Sequence, residues 1–297
     1  MNISTVNNTT AAENMTPLRI STMTAIGSLP CQLSLKDTFE KMHVTNIIRG
    51  IEFQNDIKGE TRKKKKKRTS TTDQNNKKRC FYNQITLVLC LNDKKMNVKI
   101  FKNGKLQLTG VKSESAGKQA CQHIYEMLCQ LKLTSLPSLG EEKEKEPAIN
   151  YRTVMINSDF KIGFPIRRNE LFRLFVKKYN FRHTTFEPCI YPGVNAKYYW
   201  NELTQKTDKA GRCCCSALCN GKGCGNGDGQ CKKITIATFQ SGTVIITGAT
   251  SLQQLNDVHA FVVDMYNRER DVIDKNQGAM DAVAAETSMV SSTADDV

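Results

Sequence analysis

The sequence predicts an α+β fold in two related halves, each a curved antiparallel sheet of about five strands with two helices on one face. Three observations carry this. The segment Phe101-Lys-Asn-Gly104-Lys-Leu-Gln-Leu-Thr109-Gly110-Val-Lys-Ser113 returns as Phe239-Gln-Ser-Gly242-Thr-Val-Ile-Ile-Thr247-Gly248-Ala-Thr-Ser251, displaced by 138 residues and identical at five of thirteen positions. Ordinary residue usage gives about one such identity, and the displacement is too long for a solenoid unit, so the natural reading is a duplicated domain. Each copy is followed by a one-sided apolar stripe at helical spacing, and 297 residues suffice for about two domains.

Taken in chain order, Ile20–Ile26 is a strand candidate, residues 34–43 a helix, and Ile47–Phe53 and Gln84–Leu91 further strands. An alternating run then ends at Phe101, a turn at Asn103-Gly104 follows, and a second strand closes at Thr109-Gly110. Ser113 can cap a helix whose apolar positions are Ala120, Cys121, Ile124, Met127, Leu128 and Leu131. The second half repeats the plan: Thr153–Phe160 as a strand, residues 168–179 as a helix, Thr185–Ile190 and Val194–Trp200 as strands, and the hairpin about Ser241-Gly242. Ser251 with Gln254 forms a capping box ahead of Leu252, Leu255, Val258, Val262 and Met265. One-sided helices of this length lie on the sheet, which leaves its other face open.

The expected organisation is a polar tail over 1–16, a first repeat over 17–133 with an insertion at 58–79, a linker at 134–148, a second repeat over 149–270 with an insertion at 201–232, and an acidic tail over 271–297. The formal net charge of +14 is uneven: residues 58–79 carry +9 and residues 271–297 carry −5, so the remainder is itself basic. A basic body favours an anionic partner such as nucleic acid. No run of about 18 apolar residues occurs and residues 1–17 are polar, so a soluble intracellular protein is expected, in a compartment that keeps its 12 cysteines as thiols or metal ligands.

Six of those cysteines fall between Cys213 and Cys231 among closely spaced glycines. A loop with so few apolar residues gains order from a metal, and structural zinc takes four thiolates tetrahedrally. The expected ligands are Cys215, Cys219, Cys224 and Cys231, with Cys213 as substitute; the bland alternative is an unstructured glycine loop. The four histidines are scattered, His123 and His259 read as partly exposed helix positions, and no catalytic triad, carboxylate pair or phosphate loop surrounds them, so no enzymatic activity is expected.

The doubled Phe-x-x-Gly-x-x-x-x-Thr-Gly hairpin, Lys112-Ser113-Glu114 opening a long helix, and Glu187-Pro188-Cys189-Ile190-Tyr191-Pro192-Gly193-Val194 together resemble the TATA-binding protein family, which has Glu-Pro-x-x-Phe-Pro-Gly-Leu in its second repeat. The resemblance covers about residues 18–132 and 150–268, and the large insertions are similar to those of family members from large DNA viruses. It implies a two-repeat saddle with its helices on the convex face and DNA bound through the minor groove, kinked by inserted aromatics. By the resemblance, the wedges are Phe81, Phe101, Tyr191 and Phe239, with Thr109, Thr247, Ile245, Gln107 and Lys105 on the DNA-facing surface. Gln107 stands where the family has an apolar residue. The paired asparagine of the family's first strands finds no match at Leu18-Arg19-Ile20 or Arg152-Thr153-Val154.

Glu187 and Cys189 fall at the family's partner-binding loop. The implied partners are A·T-rich promoter DNA, general initiation factors and RNA polymerase, in a nucleus or viral replication compartment. The implied function is a transcription initiation factor that bends promoter DNA; the alternative is a sequence-tolerant architectural or interaction module with a structural zinc loop.

Overall fold

The computed structural model describes residues 15–60, 82–133, 149–215 and 219–277; the greater part of the polybasic run, Phe81 and the linker lie outside them. Contacts divide the described chain into a first unit, residues 22–155, and a second, residues 15–21 with 156–277.

In the first unit the strands are β1 (Arg19–Ser28, beginning at its edge), β2 (Ile48–Phe53), β3 (Asp56–Gly59), β4 (Gln84–Leu91), β5 (Lys94–Phe101) and β6 (Lys105–Val111), with helices α1 (Leu35–Lys41) and α2 (Glu114–Gln130). They form an antiparallel sheet in the order β3-β2-β4-β5-β6-β1. The period-2 pattern decides which face is covered: Ile85, Leu87 and Leu89 of β4, Val98 and Ile100 of β5, and Leu106 and Leu108 of β6 are fully buried. Ala120, Cys121, Ile124 and Leu128 of α2 are buried with them. Each such aliphatic contributes about 1.5–3 kcal/mol. Ser113 caps α2 through the Ala116 amide, as expected.

The second unit holds β7 (Arg152–Lys161, from Ile156 on), β8 (Val194–Trp200), β9 (Lys232–Thr238) and β10 (Thr243–Ala249), antiparallel and ordered β7-β10-β9-β8. Helix α3 (Arg168–Arg173) continues into a π-helical turn over Leu174–Lys178, and α4 (Leu252–Arg268) leads into the short α5 (Arg270–Ile273). Leu255, Val258, Val262 and Met265 of α4 are buried as its stripe requires, whereas Leu252 is exposed. The Ser251 hydroxyl accepts from the Gln254 amide, and the Gln254 side chain closes the box on the Thr250 amide rather than on Ser251. Strands β6 and β10, and helices α2 and α4, sit 138 residues apart at both ends, the displacement of the repeated segment.

Both repeated hairpins turn where the sequence places them. The Gly104 amide donates to the Phe101 carbonyl and the Gly242 amide to that of Phe239, each at 3.0 Å. Both glycines have φ above +70°, and a Cβ would lie 2.4 Å from the Cys31 carbonyl oxygen or 2.3 Å from that of Phe164. No other residue fits there without backbone movement.

Several expectations are corrected. Thr185–Ile190 is not a strand: Thr185 makes one bridge, to Asn195, and the Ile190 and Tyr191 amides both donate to the Glu187 carbonyl, folding the segment into a turn. Pro188 has no N–H to give a ladder there. The insertion placed at 58–79 begins later, because Lys58 and Gly59 complete β3. The tail placed at 271–297 also begins later: Ile273 is fully buried, its carbonyl accepts from the Arg167 amide, and the Lys275 amide donates to Pro165. At the other end Thr16, placed in the polar tail, exchanges hydrogen bonds with Lys161. His259 is half-exposed, as its position suggested; it packs edge-on against Phe160 at 4.6 Å, and burial lowers its pKa.

Candidate nucleic-acid interface

In each unit the sheet face away from the helices is the half-exposed one. In the second unit it carries Asn195, Lys197 and Tyr199 from β8, Thr235 from β9, Ile245 and Thr247 from β10, and Asn157 from β7. Thr247 donates from its hydroxyl to the Asn157 side-chain oxygen, so the middle of this face presents a hydroxyl–amide pair beside the methyl groups of Ile245. Lys197 donates to Asn195 Oδ1 at 3.0 Å and to Thr235 Oγ1 at 2.8 Å; burial, and then Lys233 nearby, lower its pKa.

At one end of this face Tyr191 and Phe239 form an edge-to-face pair, with ring centroids 5.7 Å apart and planes at 62°. Tyr191 is 39% exposed. Gly193 makes room for the pair, since a Cβ there would lie 3.0 Å from the Tyr191 ring and 3.2 Å from that of Phe239. Arg168, at the start of α3, donates to the Pro192 carbonyl at 2.6 Å and lies over the Phe186 ring at 5.2 Å, holding the turn that carries Tyr191. Glu187 and Cys189 lie on the outer side of that turn, both exposed, beside Ile190, which is 80% exposed.

The first unit presents the same rows. Lys105 is exposed and Gln107 and Thr109 are half-exposed on one side of β6, and Phe101 ends β5 beside an apolar cleft of about 630 Å³ shared with Ile26, Leu106 and Gln107. Thr109 is paired with Thr24 in the register between β6 and β1, as Thr247 is paired with Asn157 between β10 and β7. Asn157 and Thr24 therefore hold corresponding places in the two sheets, an amide in one and a hydroxyl in the other. Both strands open on an arginine, Arg19 and Arg152, and Thr24 and Asn157 are the sixth residue of each.

The described part of the cysteine insertion, residues 201–215 and 219–231, forms an arm on the β8–β9 hairpin. Its base is tied at both ends: Trp200 pairs with Lys232, a Tyr199–Gly211 bridge lays the returning chain along β8, and the buried Asn201 side chain accepts from the Leu203 amide and donates to the Asp228 carbonyl. Tyr199 donates its hydroxyl to the Gly221 carbonyl, and its ring packs on Cys219 and Cys231.

The thiols of Cys213, Cys215, Cys219 and Cys231 all lie within 4.8 Å of one another, with Cys213 and Cys219 sulfurs 3.7 Å apart. Four sulfurs at about 2.3 Å around a tetrahedral zinc stand about 3.8 Å apart, so the donor set and its spacing suit such an ion. Cys224 is not among them. It makes a single antiparallel bridge to Lys232 with its side chain exposed, and Cys213, two residues beyond the Gly211 bridge, takes its place.

Gly227 sits against this cluster, where a Cβ would lie 2.7 Å from the Cys219 Cβ and 2.8 Å from the Cys215 sulfur. Burial pushes the Cys215 thiol up to about 11 and Cys231 higher still. At Cys219 burial acts in the same sense, but the Gly223 amide at 3.4 Å and the neighbouring thiols outweigh it and lower its pKa. A divalent cation held by the four sulfurs would ionise them.

Residues 41–131 match the family model described as "Transcription factor TFIID (or TATA-binding protein, TBP)". The chain resembles the TATA-binding proteins. It is 28% identical over 196 residues to a "TATA-box-binding protein-like" protein of Acanthamoeba polyphaga mimivirus, an alignment covering 63% of this chain and 48% of that one, so the chain spans about half the length of that relative. Among solved structures it is similar to Methanococcus jannaschii TBP, with 14% identity, 84% of this chain and 98% of that chain covered, and a TM-score of 0.47. The resemblance drawn from the doubled hairpin and the Tyr-Pro-Gly segment is borne out, and so is the class of fold, a mostly antiparallel sheet with several helices.

Proposed function

We propose that this chain is a DNA-binding transcription initiation factor that engages the minor groove through the open sheet faces of its two units and bends the duplex with inserted aromatics. The observation that carries the reading is the Tyr191–Phe239 pair, a rigid apolar surface kept partly in water at the end of a face lined by hydroxyls, an amide and methyl groups. An apolar wedge repays base unstacking by filling the opened step, and small polar and methyl groups suit the shallow hydrogen-bonding pattern of an A·T-rich minor groove. In the first unit Phe101 takes the equivalent place, with Phe81 as its proposed partner; Lys105, Gln107 and Thr109 line the groove beside it.

The exposed turn bearing Glu187 and Cys189 is the proposed contact for general initiation factors that bring RNA polymerase. Zinc held by Cys213, Cys215, Cys219 and Cys231 would order the arm. Relatedness to a mimivirus protein supports a viral origin, with action in the nucleus or a viral replication compartment.

The test is bending of a promoter-length duplex read by end-to-end energy transfer. Phe101→Ala with Phe239→Ala is expected to abolish the bend and weaken binding at least tenfold, and an unchanged bend would refute the wedge role. Gln107 and Thr24 favour a second reading, a sequence-tolerant architectural protein, since the first unit's face lacks the apolar residue and the asparagine that the family resemblance implies. Equal affinity for A·T-rich and G·C-rich duplexes would select that reading over the first.

A further inference from the structure

The arm does more than enclose thiols. Its chain from Asp208 to Cys215 and the turn at Asn220-Gly221 form one wall of a cleft of about 650 Å³, and Arg182, His183, Lys197 and Tyr199 form the other. Four fixed cations line it, Arg182, Lys197, Lys209 and Arg212, against one carboxylate, Asp208, which lies 3.7 Å from Arg212. Arg182 and Lys209 pair with no carboxylate among the described residues.

Lys197 spends two of its three N–H donors on Asn195 and Thr235 and keeps one. It is also a partly buried cation beside Lys233, an environment that an anion would relieve. Lys197 and Tyr199, which line the cleft, stand on the same side of the sheet as Thr235, Ile245 and Thr247. Strand β8 is the last strand on its side of the sheet, so the arm stands beside the open face rather than across it.

We propose that the cysteine arm is an added part of the nucleic-acid interface, which seats backbone phosphate of the bound duplex among Arg182, Lys197, Lys209 and Arg212. This rests on the DNA-binding reading and extends it to an insertion that the doubled hairpin does not account for. Cys213 and Cys215 belong both to the thiol cluster and to the wall of the cleft, so the order of the cluster sets the position of Arg212. Phosphate contacts carry affinity without sequence preference and make it salt dependent.

The experiment compares the full chain with Arg182→Gln/Lys209→Gln/Arg212→Gln, titrating labelled A·T-rich and G·C-rich duplexes over a series of salt concentrations and measuring bound zinc in both proteins. The expected result is zinc content unchanged, affinity lowered about tenfold or more on both duplexes, and a log–log salt slope reduced by up to about 2.7, each lost phosphate contact accounting for about 0.9. Cys213→Ser/Cys215→Ser, which disorders the wall while keeping all four cationic side chains, should lower the slope as well. An unchanged slope in the triple variant, with zinc retained and wild-type protein binding normally, would overturn the proposal and leave the DNA reading intact. Wild-type protein that binds neither duplex would remove both.

Discussion

At Glu269 a single carboxylate closes the end of α4. It is almost wholly buried, accepts from Lys178 at 2.6 Å and from the Tyr179 hydroxyl at 2.8 Å, and these bonds outweigh burial and hold its pKa below the usual value. A depressed carboxylate pKa contributes stability above the unfolded-state value of about 4.3 and loses it as pH falls through the folded-state value. Urea unfolding is therefore expected to show Glu269→Gln about 1 kcal/mol less stable at pH 7, a modest figure because Lys178 is well solvated. The difference should shrink between about pH 5 and pH 3, and a constant gap across that range would count against the assignment. Sequence reading missed this residue because its partners lie some 90 positions away. It missed Asn157 for a related reason: strand register follows from pairing and bulges, such as the step between Thr247 and Ala249, and periodicity alone does not report these.

At the scale of elements, hairpins and long helices were the most legible, because their signals are local. Glycine at a positive-φ turn, serine at a cap and a stripe at helical spacing each act within a few residues. The Thr185–Ile190 segment was not, since its apolar and β-branched residues resemble a strand until Pro188 and the Glu187 carbonyl impose a turn. The arm was legible in composition but only partly in ligand choice: Cys213 and Cys224 are equivalent in a list of spacings, and the bridges at Gly211 and Lys232 separate them. Metal analysis of purified variants should find zinc binding lost or weakened at least tenfold in Cys213→Ser and retained in Cys224→Ser. Gly227→Val should behave like Cys213→Ser, because its side chain would enter the space of the Cys215 sulfur.

For the whole molecule, the two units share a plan and differ in the chemistry of their open faces. The second has Asn157 and Ile245 where the first has Thr24 and Gln107. Introducing Thr24→Asn with Gln107→Leu is expected to raise the preference for A·T-rich over G·C-rich duplex by about 1–2 kcal/mol, the scale of one base-pair discrimination, measured as a ratio of dissociation constants. A ratio that does not move would mean that the first unit grips backbone alone. The fold repeats because the hairpin and long helix of each copy recur in the sequence, whereas the faces diverge because a half-exposed row is free to change without cost to the core.

The pairing of Trp200 with Lys232 has a separate consequence. The chain leaves and re-enters the sheet at adjacent positions, so everything from 201 to 231 is a passenger on a hairpin tip, and lengthening a loop whose ends already meet costs only about 0.6 kcal/mol for each doubling. Such a junction allows a cassette to be gained, exchanged or trimmed to a two-residue turn while the sheet beneath stays the same, which makes this tip the place where a lineage, or an engineer, can add a new grip to an old scaffold.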